Sequence, residues 1–239
     1  MSDQSSPQSG TRAWEQVLAR LEQMLVAGEV RPGQRLPGER ALAAELGVGR
    51  SSVREALRVM EALGLLRAQT GSGPNAGAMI VARPTGGMSM LMRMQVAAQG
   101  FPVSDVVQTR LVLESEVVRT LAARRPAPGL DAAVELLDSM DDGALSASEF
   151  LILDAQFHVT LADAAGNQVV AAMMAGLRES IEAYVVGGVD AARWPTTCAR
   201  LRHEHRGLIE AVEAGDPQLA ERRILDHIRG YYEGISPCA

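Results

Sequence analysis

The chain contains no lysine, so all 23 of its Lys and Arg positions are arginine. Aromatic residues make up only 3% of it, so its cores must be built from Leu, Val, Ala and Met. No apolar run approaches the roughly 18 residues of a membrane-spanning helix. Cys198 and Cys238 are the only cysteines, and they lack metal or redox spacing, which is typical of proteins in a reducing cytoplasm. Residues 1–10 lack the charged and apolar segments of a signal peptide, so we expect a disordered tail on a cytoplasmic protein without a membrane partner.

The net charge of −6 is unevenly distributed. Residues 11–83 hold ten Arg and seven acidic residues, a net charge of +3. Residues 84–239 hold thirteen Arg and 21 acidic residues, a net charge of −8, and the first ten residues add one Asp. A basic segment on an acidic body is expected where only one domain meets the phosphates of a nucleic acid.

The basic segment carries the pattern of a helix-turn-helix. Apolar residues at helical spacing predict a helix over 13–27, followed by the turn at Pro32-Gly33. Two further helices are predicted over 39–46 and 50–63, separated by Gly47-Val48-Gly49. In this motif the second helix enters the major groove of DNA, and its N-terminal side chains contact base edges.

The remaining sequence predicts a wing and then a helical bundle. Short apolar runs at 65–68 and 78–82 flank the Gly-rich stretch 70–77, which is typical of the β-hairpin of a winged helix. The periodicity breaks at 84–87, a predicted linker between a DNA-binding domain over 11–83 and a second domain over 88–236. Helical periods then predict an antiparallel bundle of six to seven helices, with spans at 88–99, 103–124, 128–141, 147–164, 168–186, 196–214 and 217–234. The fold class is therefore mainly α.

The predicted second helix of the motif carries an arginine-rich face. Arg50, Ser51, Arg54 and Arg58 lie opposite its apolar stripe, and Arg40 lies in the supporting helix. Arginine can donate two hydrogen bonds to guanine, and short hydroxyl side chains at a helix N-terminus can contact phosphate or base edges. The alternative is an exposed, solvated face, but the combination with the turn and the Gly-rich hairpin favours DNA.

The run from Gly33 to Arg58, G-x-x-L-P-x-E-R-x-L-A-x-x-L-G-V-x-R-x-x-V-R-E-A-L-R, resembles the DNA-binding domain of GntR-type bacterial transcription regulators. The resemblance implies a set of operator-contacting residues, which are Arg40, Arg50, Ser51, Ser52, Arg54 and the wing glycine Gly73. The sequence departs from the family at Gly49, where Ser or Thr is usual, and in a longer wing tip.

The second domain carries an inward-facing set of polar residues. Asp154 and His158 lie four residues apart on an apolar helical stripe. His205 and His227 lie on comparable stripes of the last two predicted helices, whereas His203 lies on a polar face. Because unpaired buried polar groups are costly, these side chains need partners. A single inward histidine is commonly a hydrogen-bonded core residue, but four such groups from three helices can also bind one divalent cation.

The motifs D-x-x-F-H, H-x-x-L-I-x-A-V-x-x-G-D and a final H-I are similar to the helical C-terminal (FCD) domain of the FadR-like branch of the GntR family. The resemblance implies that Asp154, His158, His205 and His227 bind a metal. Zinc is implied first, with nickel or manganese as further candidates, and a small carboxylate is implied as the effector.

Three further residues are candidates for effector binding. Arg110 lies on the apolar stripe of its helix and precedes Glu114 by one turn. This pair is either a helical ion pair, worth a few tenths of a kcal/mol, or, as the resemblance suggests, a site at which Arg110 binds the effector carboxylate. Asn167 is predicted as a helix cap that can also line the pocket.

These observations predict a homodimeric transcription regulator, more specifically a repressor, rather than an enzyme. It would bind a palindromic double-stranded DNA operator and release or bind it in response to a small organic acid held near the metal. Two alternatives remain at this point. One is a metal-dependent enzyme with Glu114 as its base, and the other is a regulator whose metal is purely structural.

Overall fold

The computed structural model describes residues 12–69, 77–81, 86–98, 100–125, 129–186 and 192–233. The chain divides into two compact units, Met1–Gly87 and Met88–Ala239. The described residues form ten helices and one two-stranded sheet, so the fold is mainly α, as the sequence predicts. Within these residues, no helix is both long and apolar enough to cross a lipid bilayer.

The first unit is a three-helix domain with a hairpin. Its helices are α1 (Ala13–Val26), α2 (Glu39–Leu46) and α3 (Arg50–Ala62), and its strands are β1 (Leu66–Gln69) and β2 (Gly77–Ile80). The strands pair antiparallel, with Leu66 opposite Ile80 and Gln69 opposite Gly77. The loop that carries Gly73 lies outside the described residues, so the predicted wing contact has no structural description here.

The turn between α2 and α3 is set by its glycines. Gly47 ends α2 with a φ of 65°, a left-handed conformation that a residue with a Cβ adopts only with strain. Gly49 then takes an extended conformation as the N-cap of α3. Helix α3 packs against α1 and α2, and part of its surface stays exposed. Val53, Ala56 and Met60 form the buried face of α3, while Leu57, which the sequence places in the same stripe, is half-buried.

The second unit contains seven helices among the residues described. They are α4 (Gly87–Ala97), α5 (Val103–Ala123), α6 (Asp131–Met140), α7 (Ala147–Ala164), α8 (Gln168–Val186), α9 (Trp194–Ala214) and α10 (Pro217–Glu233). Helix α5 packs along α10, and α7 packs along α8. One large apolar cluster, which includes Phe150, Phe157 and Leu208, joins the helices from α5 to α10.

Helix α7 has well-defined ends that fix its register. At its start the Ser146 hydroxyl accepts a hydrogen bond from the Glu149 backbone N–H, and the Glu149 carboxylate accepts one from the Ser146 N–H at 2.9 Å. This reciprocal cap satisfies two backbone donors that would otherwise have no partner. At the other end, Arg124 donates to the carbonyls of Ala164 and Ala165. The register of α7 places Asp154 and His158 towards the interior.

Candidate functional site

The four predicted metal-binding side chains meet inside the second unit. Asp154 and His158 come from α7, His205 from α9 and His227 from α10, and all four are buried. Each offers one ligand atom, and these atoms all lie within 4.8 Å of one another. Two nitrogen or oxygen ligands of a tetrahedral zinc ion lie about 3.4 Å apart at the usual bond lengths. The four ligand atoms are therefore nearly close enough to share one ion.

Two carboxylates set the orientation of two of the imidazole rings. Oε2 of Glu114 lies 2.7 Å from Nδ1 of His158, and Oε2 of Glu204 lies 2.8 Å from Nδ1 of His227. In both rings Nε2 is left for another ligand. Metal-binding histidines characteristically direct their second nitrogen to such an acceptor, which fixes the tautomer and the ring angle.

Three ring nitrogens of His158 and His205 lack a hydrogen-bond partner among the described residues. Nε2 of His158 and both ring nitrogens of His205 are buried without a hydrogen-bond partner in the described part of the chain. Nε2 of His205 lies 3.0 Å from Oδ1 of Asp154, but outside hydrogen-bond geometry. Buried polar atoms without partners are rare and need a reason. A divalent cation bound by Nε2 of His158, one ring nitrogen of His205 and the Asp154 oxygen would satisfy all of these atoms except the second nitrogen of His205, so the residues fit such an ion.

Phe157 holds two of the rings in place. Its fully buried ring lies edge-on to His158 with the ring centres 5.1 Å apart, and 4.9 Å from the centre of His205. The rings of His205 and His227 are 4.7 Å apart. The imidazoles are thus fixed by packing as well as by hydrogen bonds.

Arg178 on α8 is a central residue that the sequence analysis missed. It donates to Oδ2 of Asp154 at 2.7 Å and to Oε2 of Glu114 at 2.9 Å. Its side chain is only 5% exposed, so both ion pairs are shielded from water. The periodicity contains a signal for it, because Ala171, Met174 and Arg178 step by three and four along one buried stripe.

The buried charges hold each other ionised. Burial alone would raise the pKa of Asp154, but Arg178 and the neighbouring imidazoles outweigh it and hold that pKa well below its ordinary value. Burial would likewise raise the pKa of Glu114, and Arg110 and Arg178 reverse the shift. Burial lowers the pKa of His158 to about 3, with Arg178 acting in the same direction. His158 is therefore neutral near pH 7, as a metal ligand must be.

The three candidates for effector binding have different surroundings. Arg110 is buried, donates to Glu114 at 2.7 Å and donates to the Tyr232 hydroxyl at 2.7 Å. The pair is thus a buried one rather than a surface ion pair. Asn167 is exposed and caps α8, because its Oδ1 accepts from the backbone N–H groups of Val169 and Val170 at 3.1 and 3.2 Å. The structure therefore places Arg110 and Glu114 beside the four candidate metal ligands, and Asn167 at a helix end.

Two buried donors near this cluster lack an acceptor. Nε of Arg178 and the hydroxyl of Tyr231 have no hydrogen-bond partner within the described ranges. Burial raises the pKa of Tyr231, and the charge of Asp154 adds to the shift, so the hydroxyl keeps its proton. Both groups are free to donate to a bound molecule.

The first unit presents the predicted DNA-contacting residues on its surface. Arg40, Arg50, Ser51 and Arg54 are exposed, and Ser52 is half-buried at the start of α3. Arg50, Ser51 and Arg54 lie in the first turns of α3, outside the buried face formed by Val53, Ala56 and Met60. The guanidinium groups of this surface are thus accessible to a DNA backbone or groove.

An acidic residue that the sequence analysis did not single out lies on this surface. Glu39, the first residue of α2, accepts from Arg54 at 3.3 Å (Nε to Oε1) and at 3.0 Å (Nη2 to Oε2). Nη2 of Arg50 lies 3.9 Å from the same Oε2. The hydrogen bond from Arg54 lowers the pKa of Glu39, and Arg50 and Arg58 add to the effect.

Two family models match the chain. The model described as bacterial regulatory proteins, gntR family, matches residues 13–74, and the FCD domain model matches residues 105–230. The two matches cover the helix-turn-helix and the four candidate metal ligands.

Individual relatives extend the likeness over nearly the whole chain. The HTH-type transcriptional repressor NanR of Citrobacter rodentium is 31% identical over 231 residues, which is 90% of this chain and 82% of that protein. The NanR of Escherichia coli strain K12 is 29% identical over 237 residues, covering 94% of this chain and 84% of that protein. Among solved structures, a GntR protein of Streptococcus agalactiae is 26% identical with a TM-score of 0.63, and the match covers 90% of this chain and 97% of that one.

These relatives are transcription regulators and not enzymes, so the prediction that the chain is not an enzyme is confirmed. With the gntR-family model matched at one end, the FCD model at the other and a relative 31% identical over nearly the whole length, the chain belongs to the GntR family of bacterial regulatory proteins and carries an FCD domain.

Proposed function

We propose that the protein is a cytoplasmic, homodimeric repressor of the FadR-like branch, whose affinity for a palindromic operator is controlled by a small carboxylate bound beside a divalent metal. Asp154, His158, His205 and His227 hold the ion, with zinc as the first candidate. The observation that carries the proposal is the convergence of these four buried ligands, two of them backed by carboxylates. Repression is supported by the names of the NanR relatives.

The charges of the cluster support an anionic effector. Arg110 and Arg178 balance Glu114 and Asp154, and His158 is neutral. A divalent cation added to this set leaves a buried excess of positive charge, which is costly in a poorly solvated interior. A carboxylate reduces that excess, and a bound cation would act as a Lewis acid towards its oxygen. Arg178 and Tyr231 can donate to the same molecule through Nε and the hydroxyl group, which lack partners among the described residues. Arg110 donates to Glu114 and adds its positive charge to the site.

The DNA contacts are proposed on the exposed face of α3. Arg50 and Arg54 would contact base edges, Ser51 and Ser52 phosphates or bases, and Arg40 the backbone or groove, with Gly73 approaching the minor groove. A palindrome is expected because two copies related by a twofold axis present two equal reading helices.

The regulatory step is a shift in population. An effector changes operator affinity only through its different affinities for the DNA-competent dimer and the other dimer state. Typical coupling corresponds to a factor of about 5 to 150 in affinity.

Elemental analysis and operator binding test the proposal together. The full chain, purified without chelator, is analysed for metal, and an operator is selected from a random duplex library. Operator affinity is then measured with acetate, lactate, pyruvate and citrate. We expect one metal ion per chain and at least one acid that changes operator affinity.

Two variants assign these effects to the site. His205→Ala should lose both the metal and the response to acid while still binding the operator, whereas the exposed His203→Ala should retain both. Arg50→Ala should lower operator affinity by about 1–3 kcal/mol if Arg50 reads a base. If no acid alters operator affinity and chelation unfolds the second unit, the metal has a structural role and the effector proposal is wrong.

A further inference from the structure

A carboxylate on a DNA-facing surface requires an explanation. Glu39 is one-third exposed and lies among Arg50, Arg54 and Arg58. DNA phosphates repel such a charge, and the carboxylate also neutralises part of the positive field that attracts the duplex. By electrostatics alone, the position would favour a neutral or basic residue. The two hydrogen bonds that Glu39 accepts from Arg54 suggest what the charge does.

The guanidinium of Arg54 is held by one edge only. Glu39 accepts from Nε and from one N–H of Nη2, at 3.3 and 3.0 Å. A guanidinium has five N–H donors in a fixed plane. The terminal edge, which consists of Nη1 and the second N–H of Nη2, takes no part in this contact. The Arg54 side chain is 51% exposed.

The terminal edge has the geometry that guanine requires. Guanine presents O6 and N7 side by side in the major groove, and an arginine that donates two parallel hydrogen bonds to them is the commonest specific base contact. An exposed arginine normally loses much side-chain freedom on forming such a contact. An arginine already fixed by a neighbouring carboxylate loses less.

We infer that Glu39 is a positioning residue for base recognition, which fixes Arg54 in the orientation that reads a guanine in each operator half-site. The inference rests on the proposed DNA-binding function and adds to it the base that is read and the residue that determines specificity. Glu39 acts through Arg54 and does not itself contact the base.

The inference predicts two effects of opposite sign when Glu39 is neutralised. Loss of the carboxylate frees Arg54 to contact phosphates, so affinity for DNA without the operator sequence increases. Loss of the fixed orientation lowers the preference for guanine at one position. A residue with only a structural role would weaken both kinds of binding together, so the opposite signs separate the two roles.

The experiment uses the full chain and an operator selected from a random duplex library by the wild-type protein. Each guanine of one half-site is replaced in turn by 7-deazaguanine, which lacks the N7 acceptor, or by adenine. Binding is measured for the wild type, Glu39→Gln, Arg54→Ala and the double variant, and also on a duplex of scrambled sequence. Glu45→Gln is the control, because it removes the same charge from the same helix; its partner Arg20 keeps its ion pair with Glu29.

At one guanine of the half-site, we expect replacement by 7-deazaguanine or adenine to lower the affinity of the wild type about tenfold or more. For Glu39→Gln the same replacement should cause a loss at least threefold smaller. Glu39→Gln should bind the scrambled duplex more tightly than the wild type and with a steeper salt dependence, and Glu45→Gln should keep the wild-type preference. In the Arg54→Ala background, Glu39→Gln should have no further effect on guanine preference.

Three other outcomes would show whether the role of Glu39, the role of Arg54 or the proposed function is wrong. If Arg54→Ala abolishes the preference at one guanine but Glu39→Gln leaves it intact, the inference fails while the proposed function stands. If no guanine preference depends on Arg54, the assignment of Arg54 as a base contact fails as well. If the wild-type protein selects no sequence, the proposed function is wrong.

Discussion

Nδ1 of His158 lies 2.7 Å from Oε2 of Glu114, and both side chains are almost fully buried. This contact determines which nitrogen of His158 faces the other ligands. Because Glu114 also pairs with Arg110 and Arg178, its carboxylate links the candidate metal ligand His158 to both buried guanidiniums. These side chains therefore form one connected network of charges, and a substitution at one of them should change the electrostatic environment of the others.

Glu114→Gln should strongly destabilise the second unit. The change leaves Arg110 and Arg178 short of a buried counter-charge, and breaking a buried pair from one side typically costs about 3–5 kcal/mol. Urea unfolding of the metal-free protein measures this loss. Glu116→Gln on the exposed face of the same helix should change the free energy of unfolding by less than about 0.5 kcal/mol. Equal stability of the two variants would contradict the role of Glu114.

Glu204→Gln should weaken metal binding while largely preserving the fold. Glu204 is half-buried and orients His227 from outside the ligand set, and loss of such a partner typically reduces metal affinity 10–100-fold. Competition with a chromophoric chelator measures the affinity. Glu210→Gln, on the exposed face of α9, is the matched control. Unchanged affinity in Glu204→Gln would show that His227 needs no partner or does not bind the ion.

The metal-free protein should lose stability on acidification below about pH 6.5. The pKa of His158 is lowered to about 3 by burial, whereas an unfolded histidine titrates near its ordinary value of 6.5. Between these values the unfolded state binds the additional proton, so its free energy falls relative to the folded state. The lowered pKa values of Asp154 and Glu114 add a loss of the same sign at lower pH.

For His158 alone, the free energy of unfolding should fall by about 1.4 kcal/mol between pH 7.5 and pH 5.5. Urea unfolding at the two pH values measures the change. His158→Gln should show a smaller loss over this interval, and the exposed His203→Gln should show the full wild-type loss. A pH dependence that His158→Gln leaves unaltered would place the titrating group elsewhere.

Asn167→Ala should cost about 1 kcal/mol of stability through loss of the helix cap. It should leave the response of operator binding to organic acids unchanged, because the side chain is occupied by the backbone of α8. Thermal unfolding and the effector titration measure the two effects separately, with the exposed neighbour Gln168→Ala as the control. If Asn167→Ala instead weakens the effect of organic acids on operator affinity without lowering stability, Asn167 belongs to the effector site.

Much of the architecture could be predicted because local periodicity carries it. The stripe Leu151, Asp154, His158 and Leu161 predicts the inward face of α7, and all four residues are buried. The hairpin and the Gly47 turn follow from residue types with a narrow choice of backbone conformations. The second unit has the seven helices that the breaks in the pattern predict, among the residues described.

Partnerships between helices were harder to predict. Periodicity indicates that a side chain faces inward, but not which residue of another helix it meets. The sequence therefore does not reveal that Arg178 contacts Asp154 and Glu114 directly. Glu204 was missed because it lies at the edge of its buried stripe, and Glu39 because one-dimensional spacing does not show that α2 and α3 bring it to Arg54.

The charges of Arg110, Glu114, Asp154 and Arg178, all buried in the second unit, already compensate one another without any metal. Domains that cannot fold until zinc neutralises their thiolates depend on the ion during synthesis. The buried charges of this unit balance without an ion, so we expect it to fold first and to take up its cation afterwards. Occupancy would then track the supply of free cation, and a cell short of that cation would hold intact protein without its metal.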